Sequence, residues 1–297
     1  MGNIHSEYEN CRLCGRLCAV NRTAGEVGYC RSGSVARICR AALHEWEEPV
    51  ISGTRGSGTV FFSGCALGCV YCQNREISRA PVGREVTERE LADIMLSLEG
   101  QGAHNINFVT PTHFAPTVIS ATALARADGL SLPIVYNTGG YDTPETVLSL
   151  RDTVDVFLPD YKYYSPDTAR QLSFAADYPE RALLAIDEMV ALRPSPVIDG
   201  GIMTSGVIIR ILLLPGHLAE AKLALKRLFR RFGNSVYYSL MGQYTPPPDM
   251  KPPLDRPVTR SEYGELVDYA CRIGVENGFT QDTSSASERY IPRFDTN

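Results

Sequence analysis

At 297 residues, 44% of them hydrophobic, the chain is long enough to bury a core the size of one α/β barrel with a small appendage. A formal net charge of −5 and the want of a Lys/Arg-rich run set nucleic acid aside as a partner, and no apolar stretch approaches the roughly 20 residues that span a bilayer. Met1 to Asn10 is polar where a signal peptide needs an apolar segment, so a cytoplasmic protein without a membrane partner is expected.

The nine cysteines crowd towards the N-terminus, and in a reducing compartment clustered thiols read as metal ligands rather than as a disulfide framework. Cys11, Cys14, Cys18 and Cys30 supply four thiols with Cys39 nearby, and Gly25, Gly28 and Gly33 suit tight turns around a metal. Four thiolates close a tetrahedral zinc site or hold an auxiliary iron–sulfur cluster, and ligand number does not separate the two. Cys271, far along the chain in an amphipathic helical pattern, reads as a small buried apolar residue.

The first strand is expected at Thr59-Val-Phe-Phe-Ser63, followed at once by Cys65, Cys69 and Cys72. Three cysteines fit neither a four-ligand structural zinc site nor paired disulfides. A 4Fe-4S cluster held by three thiolates keeps one iron open to a substrate or cofactor. Thr87-Glu-Arg-Glu90 is a capping box that opens a helix with Leu91, Ile94, Met95 and Leu98 on one face. Strands then follow at 105–110, 133–137, 155–160, 206–214 and 235–240, with helices at 116–127, 144–150, 166–178, 179–192 and 218–232 between them. The Pro-rich run 244–253 reads as an extended loop, and Thr259-Arg-Ser-Glu262 caps a last long helix.

Six strands separated by helices imply a parallel sheet, either open and doubly wound or curved into a partial barrel. In both, functional groups gather at the C-terminal ends of the strands. Those ends carry the cysteine triad, Thr110-Pro-Thr-His113, Asn137-Thr-Gly-Gly140, Asp160-Tyr-Lys162, Pro215-Gly-His217 and Gln243-Tyr244. Arg210, inside an apolar strand, must find an anionic partner because an unpaired buried charge is costly.

Gly64 to Asn74 resembles the CxxxCxxC signature of the radical S-adenosylmethionine (SAM) enzymes, with Tyr71 as the aromatic residue before the third cysteine. From about residue 50 onward the layout is similar to that of the glycyl-radical-enzyme activases, typified by pyruvate formate-lyase activating enzyme, in a branch carrying an N-terminal cysteine-rich module. The resemblance implies an α/β fold: a partial (β/α)6 barrel over residues 51–297 with a small cysteine-rich metal-binding extension over residues 1–50. It implies a 4Fe-4S cluster on Cys65, Cys69 and Cys72 whose open iron binds SAM, and reductive cleavage of SAM to a 5′-deoxyadenosyl radical. Cofactor contacts are expected from Tyr71, Thr110, Thr112, Asn137, Asp160, Lys162 and Arg210, with Lys162 and Arg210 near the cofactor carboxylate. Where the activases carry a GGEP-type segment this chain has Thr110-Pro-Thr-His113, so backbone carbonyls and threonine hydroxyls stand in for the amino-group contact. The implied partners are a flavodoxin or ferredoxin type electron donor and a glycyl radical enzyme. Two other functions compete: radical SAM modification of a peptide or small molecule, and a non-enzymatic metal-binding interaction protein.

Overall fold

The computed structural model describes residues 4–281 and Phe294. Two short 3-10 turns, Ile4–Tyr8 and Arg22–Ala24, lie in a loop-rich segment ahead of β1 (Ala36–His44). The one-turn α1 (Pro49–Ser52) leads to β2 (Ser57–Phe62), α2 (Arg75–Ser78), β3 (Arg84–Val86) and α3 (Glu88–Gly100). Next come β4 (Ile106–Val109), α4 (Ala115–Ala127), β5 (Ile134–Thr138), α5 (Pro144–Ser149), β6 (Val156–Pro159), α6 (Pro166–Ser173) and α7 (Tyr178–Leu192). Then follow β7 (Val197–Asp199), β8 (Ile202–Leu212), α8 (Leu218–Phe232), β9 (Tyr237–Met241), α9 (Arg260–Ile273) and β10 (Gly278–Thr280).

The strands form one sheet in the order β10-β9-β8-β6-β5-β4-β2-β1-β3, with β7 attached to β8. Neighbours from β2 round to β9 are parallel, as strands joined by helical crossovers must be. These are the six strands expected from the sequence, and the sheet they build is an open α/β partial barrel. The described strands at its two ends, β3 and β10, do not pair with each other. β1 is an addition that the apolar pattern hid behind Arg37 and Arg40: it runs antiparallel to both β2 and β3. Residues 36–44 thus extend the barrel sheet, and the loop-rich part of the segment 1–50 is what precedes them.

Both expected capping boxes form, Thr87 with Glu90 and Thr259 with Glu262. α9 packs Tyr263, Leu266 and Ala270 inward but leaves Cys271 exposed. The buried thiol expected there is corrected by simple helix geometry, since the residue after a buried one sits about 100° around the axis. Among the described residues no helix is long and apolar enough to cross a membrane.

Apolar residues fill two layers. The larger cluster lies between sheet and helices, with Val60, Phe62, Phe108 and Tyr136 meeting Leu91, Val118, Ile186 and Leu225. A smaller one, Val135, Val156, Leu158, Met203 and Ile208, lies on the inner face, and Ile51 of α1 is packed fully buried into it. Alternation along a strand puts Val135, Leu158 and Ile208 on the same face as Asn137, Asp160 and Arg210 two residues further on. α1 therefore plugs the inside of the barrel directly beneath those polar side chains.

Candidate functional site

The loop after β2 begins at Gly64, whose φ of 86° belongs to the left-handed region. A side chain there would come within 2.6 Å of the Cys30 carbonyl and the Ser32 hydroxyl, so the turn needs glycine on both counts. The loop is then held along its length. Gly64 N–H donates to Ile77 O at 2.8 Å, Val70 N–H to Leu172 O at 2.9 Å, and Arg79 Nη2 to the carbonyls of Gly68 and Cys69 at 3.0 and 2.9 Å. It delivers Cys65, Cys69 and Cys72 to the wall of one cavity of about 240 Å³. Burial pushes the Cys72 thiol up to about 12, with Cys69 and Cys65 adding to it, and burial and Cys69 raise Cys65 in the same way. Cys65 and Cys72, which burial keeps protonated, become thiolates when a metal centre supplies the compensating positive charge.

Opposite the triad, four strands contribute a charged network. In the parallel register Asp160 pairs with Arg210 and Arg210 with Ser239, which sets the carboxylate beside the guanidinium. Arg210 Nε donates to Asp160 Oδ1 at 2.8 Å and Nη2 to Asn137 Oδ1 at 2.5 Å, while Nη1 lies 3.4 Å from Glu47 Oε2. Lys162 Nζ donates to the other Asp160 oxygen at 2.5 Å. Glu47 Oε1 accepts from Asn107 and Asn137, each at 3.2 Å. Burial works to raise Asp160, but Arg210 and Lys162 outweigh it and hold the carboxyl below its usual range. For Glu47 the balance goes the other way: burial raises it against the pull of Arg210 and Asn107. The adjacent Glu48 is raised by burial too, and its Oε2 is buried without a hydrogen-bond partner among the described residues. Gly140, with a φ of 78°, lets the loop after β5 pass against the Asp160 carbonyl, which any side chain there would strike.

The cavity joins most of the residues singled out from the sequence. Cys65, Cys69, Tyr71, Cys72, Thr110, Asn137, Asp160, Lys162 and Arg210 all line it. Thr112 stands off it, buried, with its hydroxyl 3.1 Å from that of Thr138. Arg210, expected at the cofactor carboxylate, instead spends its guanidinium on Asp160, Asn137 and Glu47 while still forming part of the wall. His113 faces elsewhere: it is 1% exposed with Nε2 2.7 Å from the Ser63 carbonyl, so that nitrogen carries the proton. Burial, and Arg22 beside it, lower His113 to about 3 and keep it neutral. Sequence reasoning missed Glu47, although its signal was visible in His44-Glu-Trp-Glu-Glu-Pro49, an acidic pair set just before a helix-starting proline. Tyr163 and Ser173 were missed as well. Tyr163 Oη donates to Tyr71 Oη at 2.8 Å, and Ser173 Oγ lies 2.9 Å from Cys69 Sγ.

The N-terminal cysteines lie against this site. Cys11 exchanges backbone hydrogen bonds with Val20 and Ala19 at 3.0 and 2.9 Å, closing a tight loop around Cys14 and Cys18. Burial raises the Cys14 thiol, and Cys30, Cys11 and Cys18 are near enough to raise it further. Cys39 lies apart from them in an apolar cluster with Phe61, Ile77 and Val109. Arg16 reaches from the knot into the triad loop. Its Nε donates to Ala66 O at 2.7 Å, Nη2 to Ser173 O at 3.0 Å and Nη1 to Phe174 O at 2.6 Å, and its guanidinium stacks 3.7 Å from the centre of the Tyr29 ring. Tyr29 in turn donates to Leu67 O at 3.1 Å.

Among the described residues, no three His, Cys, Asp or Glu side chains stand in a geometry that holds a single ion. A four-iron cluster gives each thiolate its own iron, so the triad is judged by its donors: three soft thiols on one loop, facing one cavity. They fit such a cluster.

The model of the Radical SAM superfamily matches residues 59–228. Over 284 residues the chain is 28% identical to an uncharacterized protein of Methanocaldococcus jannaschii, MJ0674, which covers 91% of this chain and 76% of that protein. Among solved structures it is similar to a radical SAM methyltransferase from Sphaerobacter thermophilus, with a TM-score of 0.53 and 16% identity over 75% of this chain. The match spans 66% of the methyltransferase, just under two thirds of its length, and identity at that level speaks for the fold alone.

Proposed function

Because the chain belongs to the Radical SAM superfamily, we propose that its cavity is the active site of a radical SAM enzyme directed at a glycine of a partner glycyl radical enzyme. The observation that carries the radical SAM part of this reading is the meeting of Cys65, Cys69 and Cys72 with Lys162, Asp160 and Asn137 around one cavity at the C-terminal ends of the strands. The glycine target rests on the resemblance of the sequence to the glycyl-radical-enzyme activases. Cys65, Cys69 and Cys72 hold the 4Fe-4S cluster. When bound, cluster and SAM together supply a 5′-deoxyadenosyl radical that abstracts hydrogen.

The chain's own residues bind and orient. Lys162, kept charged by Asp160, offers its remaining N–H donors to the cofactor carboxylate. Asn137 and Thr110 offer polar contacts to the ribose and amino groups. Tyr71, buried between Tyr163 and Tyr244, keeps water from the triad. Arg210 acts through Asp160 and Asn137, which it fixes in place. Cys11, Cys14, Cys18 and Cys30 are the donors for a second centre: an auxiliary cluster gives each thiolate its own iron, whereas zinc requires the four thiols to draw together from their present positions. A flavodoxin or ferredoxin type donor supplies electrons.

The test is incubation of the anaerobically reconstituted, reduced protein with SAM. Formation of 5′-deoxyadenosine is expected, and its absence rejects the reading in favour of a metal-binding interaction protein. Deuterium carried into that product from a glycine-labelled partner supports the glycyl assignment, whereas deuterium from a labelled peptide or small molecule replaces it.

A further inference from the structure

Outside the barrel, between α7 and α8, lies a second and larger hollow, a groove of about 700 Å³. Its lining carries Lys226, Arg227, Arg230 and Arg231 of α8 against one carboxylate, Glu180 of α7. On a chain whose net charge is −5, this is a local reversal of sign. Arg227 pairs with Glu180 at 2.8 Å and Arg231 with Asp187. Lys226 and Arg230 have no ion-pair partner among the described residues. Leu183 and Leu223 give the groove an apolar floor, with Leu223 43% exposed. Cations around exposed apolar surface are the complement of an acidic protein face.

The groove also has a short connection to the site. Tyr164 stands in its wall beneath the Arg227 guanidinium, 5.9 Å from ring centre to charge. Its chain neighbour Tyr163 is 1% exposed and turns inward. The Tyr163 hydroxyl lies 2.5 Å from Ser173 Oγ, which donates to Cys69 Sγ at 2.9 Å. One peptide unit and two hydroxyls therefore link the groove wall to a ligand of the triad.

We propose that this groove docks an acidic one-electron donor protein, and that the Tyr164-Tyr163-Ser173 link to Cys69 is the electron's way in. This rests on the function proposed above and adds where the donor binds. One electron leaves the reduced donor and arrives at the centre held by the triad; no bond forms or breaks, and the donor leaves oxidised by one electron.

The experiment uses the full-length, cluster-loaded protein and its Lys226→Glu/Arg230→Glu variant, which alters the two unpaired cations and leaves both ion pairs intact. 5′-Deoxyadenosine formation is followed with reduced flavodoxin and, separately, with dithionite over a range of salt concentrations. With flavodoxin at low salt the variant is expected to fall at least about tenfold, in the range that electrostatic steering supplies, and to lose the parent's salt dependence. With dithionite the two match, and Lys226→Arg/Arg230→Lys keeps the parent rate with both reductants. Parent-like flavodoxin kinetics in the charge-reversed protein overturn the proposal. So does a groove that binds a short duplex DNA and loses it on charge reversal while the flavodoxin rate stays put. A parent that makes no 5′-deoxyadenosine even with dithionite fails on the function itself, and the docking surface falls with it.

Discussion

Arg210 is the residue on which the charged wall turns, because one guanidinium serves acceptors from three separate parts of the chain: Glu47, Asn137 and Asp160. Removing one partner of a buried ion pair costs roughly 3–5 kcal/mol, chiefly through the charge left behind. Arg210→Met is therefore expected to lose stability on that order in urea denaturation, and Arg210→Met/Glu47→Gln to recover part of it. An unchanged midpoint would mean that Arg210 is free for the cofactor after all. His113 makes a different prediction. Its folded pKa, lowered to about 3, lies below the ordinary value near 6.5, so between those limits the unfolded chain binds the extra proton. Stability then falls as pH drops through that window, with a slope of roughly 1.4 kcal/mol per pH unit from this one residue. His113→Gln, which keeps a donor for the Ser63 carbonyl, flattens the profile; an identical slope in the variant would assign the effect to another group.

At the level of elements, the triad loop depends on what lies outside the barrel. Arg16 ties the loop's Ala66 to the end of α6 through carbonyls that a lysine, a point charge on a flexible stem, cannot span together. Arg16→Ala is expected to speed amide exchange across residues 64–72 and to lower iron retained at the triad on dilution, with Arg16→Lys restoring only part. Unchanged exchange in Arg16→Ala would make the contact incidental. The N-terminal knot has its own readout: Cys14→Ala is expected to lose zinc or iron selectively from the second centre while the triad keeps its iron. Equal metal content in parent and variant rejects that centre.

At the scale of the molecule, what could be read in advance was whatever is local along the chain. The six parallel strands announce themselves as apolar runs, and both capping boxes as four-residue signatures. The triad is legible because its three thiols lie within eight residues, Cys65 to Cys72. β1, β3, β7 and β10 escaped because short or charged-faced strands owe their pairing to neighbours brought up by the fold. Glu47 escaped for the same reason, since its place against Arg210 is a contact across 163 residues. The basic groove was legible and overlooked: Lys226-Arg227-Leu-Phe-Arg230-Arg231 sets four cations within six residues, a run masked by the apolar helical pattern in which it is embedded and by the acidic balance of the whole chain. The packing of Ile51 under Asn137, Asp160 and Arg210 has a last consequence, which concerns traffic. With its floor stoppered, the cavity is a cul-de-sac, and whatever leaves must use the doorway through which the next molecule arrives. Spent fragments then queue with fresh cofactor at one threshold. 5′-Deoxyadenosine and methionine are accordingly expected to inhibit in competition with SAM, and Ile51→Gly, by opening a back exit, to relieve that inhibition; purely noncompetitive inhibition would show that the plug does not govern passage.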